Sequence, residues 1–150
     1  MAAVFRSRLL PMPARTGSET IVVVDDQPVP LEFCSSALRV AGYHVLTALS
    51  GKKALDYFQP NRPAIDLALI DIVMPEMSGI ELIKAASRLN PPKRILLMSG
   101  YAPDEVKRLV GPEAANYRCI WKPFEAETLL RLVRNVLDAP ARKEKTASDS

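Results

Sequence analysis

The stretch IVVVDD, at residues 21–26, decides how this chain is expected to fold, because an apolar β-branched run ends there in two adjacent aspartates. A second apolar run, ALI at residues 68–70, ends in Asp71. Such runs are typical of strands buried on both faces of a parallel sheet, and the carboxyl ends of neighbouring parallel strands lie side by side. The sequence therefore predicts that Asp25, Asp26 and Asp71 converge at one edge of a sheet.

Three carboxylates gathered in a small volume repel one another, and each resists ionisation beside the others. A hard divalent cation among them makes the full negative charge favourable, and Mg²⁺ prefers oxygen ligands of this kind. The cluster therefore indicates a site for Mg²⁺ and, through the metal, for a phosphate group.

Composition limits the chain to one domain and argues against a nucleic-acid partner. The 150 residues are 48% hydrophobic and 25% charged, which fits a single globular domain with a real core. The net charge of +3 comes from three arginines in residues 1–18, a segment without acidic residues, so basic and acidic side chains balance from Glu19 onward. The predicted domain thus lacks the basic surface of a nucleic-acid binder.

The two cysteines and the hydropathy pattern point to a soluble, cytoplasmic protein. Cys34 and Cys119 are too few for a disulfide framework and fall in apolar stretches, so both are expected to be reduced and buried. The longest apolar stretch, residues 65–74, contains two aspartates and is too short to cross a bilayer. No membrane insertion is expected.

Short apolar runs alternate with amphipathic segments five times from Glu19 onward, which is typical of an α/β fold with a doubly wound parallel sheet. The domain is expected to cover residues 19–139, between a flexible N-terminal segment at 1–18 and a flexible tail at 140–150. The five strands are predicted at residues 21–25, 44–48, 67–71, 94–99 and 119–121.

The helix starts carry recognisable capping chemistry. Proline suits the first turn of a helix, serine caps it, and acidic residues complement its positive end. Ser78 and Glu81 have the spacing of a capping box. The five helices are expected to begin near Pro28, Ser50, Ser78, Pro103 and Glu125.

Chemically capable side chains stand at the carboxyl ends of four of the five predicted strands. The aspartate pair is at the end of the first strand, Asp71 of the third, Ser99 of the fourth, and Lys122 directly follows the fifth. Each has an ordinary explanation, since aspartate caps helices, Ser-Gly forms turns and lysine is often solvated. Their common position at strand ends favours a phosphoryl-transfer site without histidine, thiol or glycine loop.

Four motifs then resemble the response-regulator receiver domains of two-component signalling, of the chemotaxis-regulator kind: VDD at 24–26, DIVMPEMSG at 71–79, MSGY at 98–101 and WKPF at 121–124. The resemblance implies a three-layer, flavodoxin-like fold with five helices and a five-stranded sheet in the order 2-1-3-4-5. It also implies phosphoryl transfer from a sensor histidine kinase or a histidine phosphotransfer protein.

The resemblance implies a role for each site residue. Asp71 is the expected phosphoacceptor. Asp26, Asp71 and the backbone carbonyl of Val73 are expected to hold Mg²⁺, with Asp25 acting partly through water. Ser99 and Lys122 are expected to contact the phosphoryl oxygens, and the resemblance implies a cis peptide bond before Pro123. Such a protein assists its own phosphorylation and dephosphorylation and is not otherwise an enzyme.

Output is expected through protein contacts, because about a dozen polar residues follow the last predicted helix. The resemblance places a downstream protein or a homodimer partner on the face formed by helix 4, strand 5 and helix 5. The chain is either a free-standing regulator, a phosphorelay shuttle or a receiver cut from a larger hybrid kinase.

One position departs from the family pattern. Receivers commonly carry Tyr or Phe three residues before the lysine, and this chain carries Cys119, so Tyr117, Tyr101 or Trp121 takes over the switching movement or the output surface responds weakly. A degenerate, non-phosphorylated receiver that acts as an interaction module is therefore the alternative. A flavodoxin-like cofactor binder is less favoured, because the segment QPVP at 27–30 offers no phosphate loop.

Overall fold

The computed structural model describes residues 18–140, in which five strands and five α-helices alternate along the chain. The strands are β1 (Thr20–Val24), β2 (His44–Ala48), β3 (Leu67–Asp71), β4 (Arg94–Ser99) and β5 (Arg118–Trp121). The helices are α1 (Pro28–Val40), α2 (Gly51–Leu55), α3 (Gly79–Ala86), α4 (Pro103–Val110) and α5 (Ala126–Asp138). Short 3-10 turns follow α2 at Asp56–Phe58 and α4 at Pro112–Asn116. The predictions for residues 1–17 and 141–150 lie outside the described residues.

All five strands are parallel and form one sheet in the order β2-β1-β3-β4-β5, which confirms the predicted fold class and strand order. Strand bounds differ from the prediction by one residue at three strand ends. The structure begins β1 at Thr20 and ends it at Val24, although the Asp25 N–H still donates to the Ala48 carbonyl of β2 at 3.2 Å. It also adds Arg118 to the start of β5.

The sheet has a separate hydrophobic core on each face. Alternate residues of β1, such as Ile21 and Val23, face α1 and α5, while Val22 and Val24 face the layer of α2, α3 and α4. All four of these side chains are fully buried. This double burial explains why the central strands are continuously apolar, since alternation with polar residues occurs only where one face meets water.

The helix starts follow the predicted capping chemistry. Pro28 is the first residue of α1, and the Ser50 hydroxyl accepts the Lys53 N–H at 3.1 Å at the start of α2. Ser78 and Glu81 form the predicted capping box of α3, with reciprocal hydrogen bonds of 3.1 and 2.9 Å. These caps satisfy backbone N–H groups that have no partner within the helix.

The two thiols differ in exposure. Both cysteines are free, and Cys34 is buried as predicted, whereas Cys119 is half-buried, so the prediction of a buried thiol is wrong for it. Cys119 lies in β5, which is an edge strand. Most residues of this strand are at least partly exposed, because no further strand covers its outer side. Within residues 18–140, every helix is too short or too polar to cross a bilayer.

Candidate functional site

Three carboxylates meet where β1 and β3 end. These two strands are hydrogen-bonded neighbours, so the loop after β1 lies beside the last residue of β3. Asp25, Asp26 and Asp71 each place one carboxylate oxygen so that all three atoms lie within 4.8 Å of one another. Asp25 and Asp71 are buried, and Asp26 is half-buried. The convergence expected from the two apolar runs is therefore present.

Both carboxylate oxygens of Asp25 already have partners. Oδ1 accepts the backbone N–H of Gln27 at 3.0 Å, and Oδ2 accepts from Nζ of Lys122 at 2.8 Å. The side chain is fully buried, so these contacts replace the water that a carboxylate would otherwise bind. Asp25 therefore anchors the lysine and the turn that leads into α1.

Asp71 lies in a less favourable environment for a negative charge. Burial, followed by the charge of Asp25, raises the pKa of the Asp71 carboxyl to about 7, although the nearby Lys122 opposes this shift. Its side chain is the less tightly paired of the two, because Lys122 Nζ lies 3.5 Å from its Oδ1. A carboxylate that is buried and incompletely neutralised is poised to gain from a cation or an electrophile.

Lys122 brings a positive charge into the cluster from the far side of the sheet. It directly follows β5, and its backbone N–H donates to the Ser99 carbonyl at 2.7 Å. Burial alone lowers the pKa of Lys122, but the hydrogen bond to Asp25 and the charge of Asp71 outweigh burial, and the pKa is raised. The ammonium is thus charged at neutral pH. The peptide bond between Lys122 and Pro123 is cis, in line with the resemblance.

The Ser99 hydroxyl is buried at the end of β4 and bonds to its own loop. Its Oγ accepts the Tyr101 N–H at 2.9 Å and donates to the Tyr101 carbonyl at 3.1 Å. Short serine–backbone turns of this kind are common after strands. In this arrangement the hydroxyl proton is used within the β4–α4 loop and does not point to a carboxylate.

The loop after Asp71 is held tightly against the strand end. The Gly79 N–H donates to the Ile72 carbonyl at 2.7 Å, and Glu76 has a left-handed backbone with φ of 69°. A Cβ atom at Gly79 would lie 2.6 Å from the carbonyl oxygen of Asp71, so only glycine fits there. Val73, the predicted backbone ligand, is half-buried within this loop.

Two backbone contributions to the site were not predicted from the sequence. The Gln27 N–H binds Asp25, and the Tyr101 backbone binds the Ser99 hydroxyl. Both are bonds from a short polar side chain to the residue two positions later, a pattern that Asp and Ser favour in turns. An Asp or Ser at the end of a predicted strand therefore indicates a hydrogen bond to the backbone N–H two residues later, as in Asp25 with Gln27 and Ser99 with Tyr101.

The donor set fits a hard divalent cation. Carboxylate oxygens are the protein ligands that Mg²⁺ and Ca²⁺ prefer, and Asp26 and Asp71 have the oxygens least used by other groups in the cluster. In the described chain, neither sulfur nor imidazole ligands join this cluster, which argues against a soft metal such as zinc.

A cavity of about 470 Å³ opens beside Cys119, between α4, the following 3-10 turn and β5. Its lining includes Val106, Tyr117 and Trp121, and also Ile72, the residue directly after Asp71. The cavity therefore includes a residue close in sequence to the end of β3 and lies between α4 and β5.

Comparison with known proteins gives one consistent family. A family model, the response regulator receiver domain, matches residues 21–134. Probable transcriptional regulatory protein TcrX of Mycobacterium tuberculosis is 34% identical over 119 residues, covering 79% of this chain and 49% of that protein. Response regulator receiver protein CpdR of Brucella abortus is 33% identical over 122 residues, covering 79% of this chain and 97% of that protein.

A solved structure agrees with these relatives. The crystal structure of a CheY-like response regulator receiver domain protein from Methanospirillum hungatei JF-1 has 31% identity and a TM-score of 0.69, covering 81% of this chain and 95% of that chain. The chain spans about half the length of several of the curated relatives it matches.

Proposed function

This chain belongs to the response regulator receiver domain family of two-component systems, and we propose that it accepts a phosphoryl group on Asp71. The donor is a phosphohistidine on a sensor histidine kinase or a histidine phosphotransfer protein. One observation carries the proposal: one oxygen from each of three carboxylates lies within 4.8 Å of the other two, with a lysine ammonium 3.5 Å from Asp71.

The transfer step needs a nucleophile and charge neutralisation, and little further chemistry. A carboxylate oxygen of Asp71 attacks the phosphorus of the donor, and the bond between phosphorus and the histidine nitrogen breaks. The departing nitrogen keeps the electron pair, the proton on the other ring nitrogen makes the leaving group a neutral imidazole, and Asp71 becomes an acyl phosphate.

Lys122 stabilises the charge that the phosphoryl oxygens carry during transfer. Its ammonium is held by Asp25 at 2.8 Å, so the charge is already placed before the donor arrives. Preorganisation of this kind lowers the reorganisation needed in the transition state. Asp25 is therefore a positioning residue for the lysine.

Asp26, Asp71 and the backbone carbonyl of Val73 are the groups that would hold Mg²⁺, with Asp25 close enough to act through water. The bound ion would supply positive charge that offsets the negative charge of the carboxylates and of the phosphoryl group. The protein's own contribution is to gather the oxygens and to bury them away from competing water.

Ser99 would donate its hydroxyl to a phosphoryl oxygen. A hydroxyl has a single proton to donate, and Ser99 uses it on the Tyr101 carbonyl, so engagement of the phosphoryl group requires that this bond be released. Phosphorylation is thereby linked to the conformation of the β4–α4 loop.

Signalling would proceed by protein contacts rather than by catalysis on a separate substrate. The face of α4, β5 and α5 exposes Leu109 and Trp121, each nearly half accessible to solvent. Apolar groups exposed in this way favour a docking partner, which is either a downstream protein or a second copy of the chain. The protein would assist its own phosphorylation and dephosphorylation.

The proposal is tested by phosphorylating the chain with a small acyl phosphate in the presence of Mg²⁺. We expect the intact mass of the wild type to gain one phosphoryl group, and we expect no gain in Asp71→Asn or without Mg²⁺. Asp66→Asn is the matched control, because Asp66 lies outside the carboxylate cluster and pairs instead with Lys93 at 3.5 Å. A gain that persists in Asp71→Asn would contradict the acceptor assignment.

The same proteins distinguish the alternative function. Beryllium fluoride mimics a bound phosphoryl group and is expected to change the fluorescence of Trp121, the sole tryptophan, in wild type and not in Asp71→Asn. If neither Mg²⁺ with acyl phosphate nor Mg²⁺ with beryllium fluoride has any effect, a non-phosphorylated interaction module becomes the better account.

A further inference from the structure

The cavity beside Cys119 is available to a side chain that enters it from elsewhere. It measures about 470 Å³, and its lining is mostly apolar. Cys119 is too small to fill it by rotation, since a thiol is far smaller than an aromatic ring. A side chain that fills this cavity when the protein is phosphorylated would therefore have to come from a residue other than Cys119.

Three aromatic residues lie near the cavity, and only one is outside it. Tyr117 and Trp121 already form part of its walls. Tyr101 is 44% exposed and does not line the cavity. If Tyr117 or Trp121 moved into the cavity, it would leave empty space at its present position. The Tyr101 ring lies outside the lining and would add new apolar contacts.

The backbone of Tyr101 is joined to the residue that would sense phosphate. Ser99 Oγ accepts the Tyr101 N–H at 2.9 Å and donates to the Tyr101 carbonyl at 3.1 Å. When the hydroxyl proton turns to a phosphoryl oxygen, the Tyr101 carbonyl loses its donor. The loop is then expected to change conformation, because a backbone carbonyl without a hydrogen-bond donor is energetically unfavourable.

The loop is also close enough to the cavity for the ring to reach it. Pro103 lines the cavity and follows Tyr101 by two residues, a separation of about 7 Å at most between their Cα atoms. On the other side, Ser99 is the register partner of Trp121, which forms a wall. The β4–α4 loop therefore runs along the rim of the cavity.

We propose that Tyr101 carries the switching movement of this protein and that its ring enters the cavity beside Cys119 when Ser99 engages the phosphoryl group. Burial of the exposed ring against Val106 and Cys119 favours the closed form by the hydrophobic effect. Asp104 and Lys107, which also line the cavity, offer polar partners for the phenol group. The filled cavity would change the surface of α4 and β5 that faces a partner.

The experiment measures how fast Cys119 reacts with a small alkylating reagent, because the ring in the cavity would cover the thiol. The sequence has two cysteines, so Cys34→Ala leaves Cys119 as the only thiol. Thermal unfolding first establishes that this background is folded. The alkylation rate is then compared without ligand, with Mg²⁺, and with Mg²⁺ plus beryllium fluoride.

We expect the phosphoryl mimic to slow alkylation by about tenfold, the effect of a cavity that is filled about nine-tenths of the time. Tyr101→Ala in the same background should show no slowing, and Tyr101→Phe should retain it. Burial and, after it, the negative charge of Asp71 raise the pKa of the Cys119 thiol, so binding of the mimic at Asp71 can itself change the rate. That electrostatic effect is the same in Tyr101→Ala, which makes this variant the matched control.

The switch rests on the proposed function, and calorimetry of beryllium fluoride binding separates the two. Absence of binding would overturn the proposed function and the switch together. If beryllium fluoride binds but does not slow alkylation in the Cys34→Ala protein that keeps Tyr101, only the switch is overturned. Equal slowing in Tyr101→Ala would also overturn it, since another residue would then be covering Cys119.

Discussion

The ammonium of Lys122 is bound more closely to Asp25 than to Asp71, at 2.8 Å against 3.5 Å. The two residues of the shorter pair are 97 positions apart in the sequence, and the pair closes the site between the first and last strands. The tighter pairing leaves the proposed acceptor with the weaker neutralisation, which is consistent with the raised pKa of Asp71. Asp25 thus holds the lysine, and the Asp71 carboxylate is the less tightly paired of the two.

Lys122→Met is expected to raise the pKa of Asp71 further above 7 in the absence of metal, because the lysine charge is an influence that lowers it. The titration of the Asp71 carboxyl, followed by carbon-13 NMR, measures this change. Lys107→Met is the control, since Lys107 is an exposed lysine on α4. An unchanged titration in Lys122→Met would show that the ammonium does not act on Asp71.

Mg²⁺ affinity is expected to fall as the pH decreases below about 7. The metal binds the ionised carboxylate, and Asp71 in the metal-free protein has a pKa of about 7, so below this pH the metal competes with a proton. The affinity should decrease by up to about tenfold per pH unit well below this pKa. Calorimetric titrations at several pH values measure it. An affinity that stays constant from pH 7 to pH 5 would contradict the assignment of Asp71 as a ligand.

Gly79→Ala is expected to lower the free energy of unfolding by about 2 kcal/mol, because the added Cβ overpacks the strand end. The new atom would lie 2.6 Å from the Asp71 carbonyl oxygen, a backbone atom that cannot rotate away. Intrinsic helix propensity alone would favour alanine, so a loss of stability isolates the steric effect. Denaturant unfolding measures the change.

Gly100→Ala is the matched control for that substitution. A Cβ atom at Gly100 would be 4.0 Å from its nearest atoms, in the side chain of Lys122, which is ordinary van der Waals contact. We expect its effect on unfolding to be much smaller. Equal destabilisation by both substitutions would mean that glycine flexibility, rather than the contact with Asp71, explains the result.

Glu19→Gln is expected to destabilise the protein by about 1 kcal/mol at neutral pH and to have little effect in acid. Glu19 binds Arg134 of α5 at 2.8 Å, and this hydrogen bond holds the pKa of Glu19 below the ordinary glutamate value. A carboxyl whose pKa is lowered by folding contributes stability that is present above the ordinary pKa and is lost as the pH falls through the lower, folded value.

Thermal or denaturant unfolding between pH 7 and pH 3 tests this pH dependence, where pH 3 lies below the ordinary pKa of a glutamate of about 4.3. Glu105→Gln is the control, because its pair with Arg108 lies within one helix and is largely exposed. A Glu19→Gln effect that is as large at the acidic end as at neutral pH would indicate lost packing rather than lost charge.

The sequence by itself determined the elements, their order and the gathering of the acidic residues. Apolar runs predict buried strands, and caps such as Ser78 with Glu81 predict helix starts, because both depend on residues a few positions apart. Parallel strands share one carboxyl edge, so Asp25, Asp26 and Asp71 followed from strand ends alone.

Only the tertiary structure decided how the side chains at that edge are paired. The distances from the Lys122 ammonium to Asp25 and to Asp71 differ by less than one ångström. The partial exposure of Cys119 depends on β5 being an edge strand. The cavity beside Cys119 likewise depends on where α4 packs against β5. Such contacts join residues that are distant in the chain, and no local pattern encodes distances of that size.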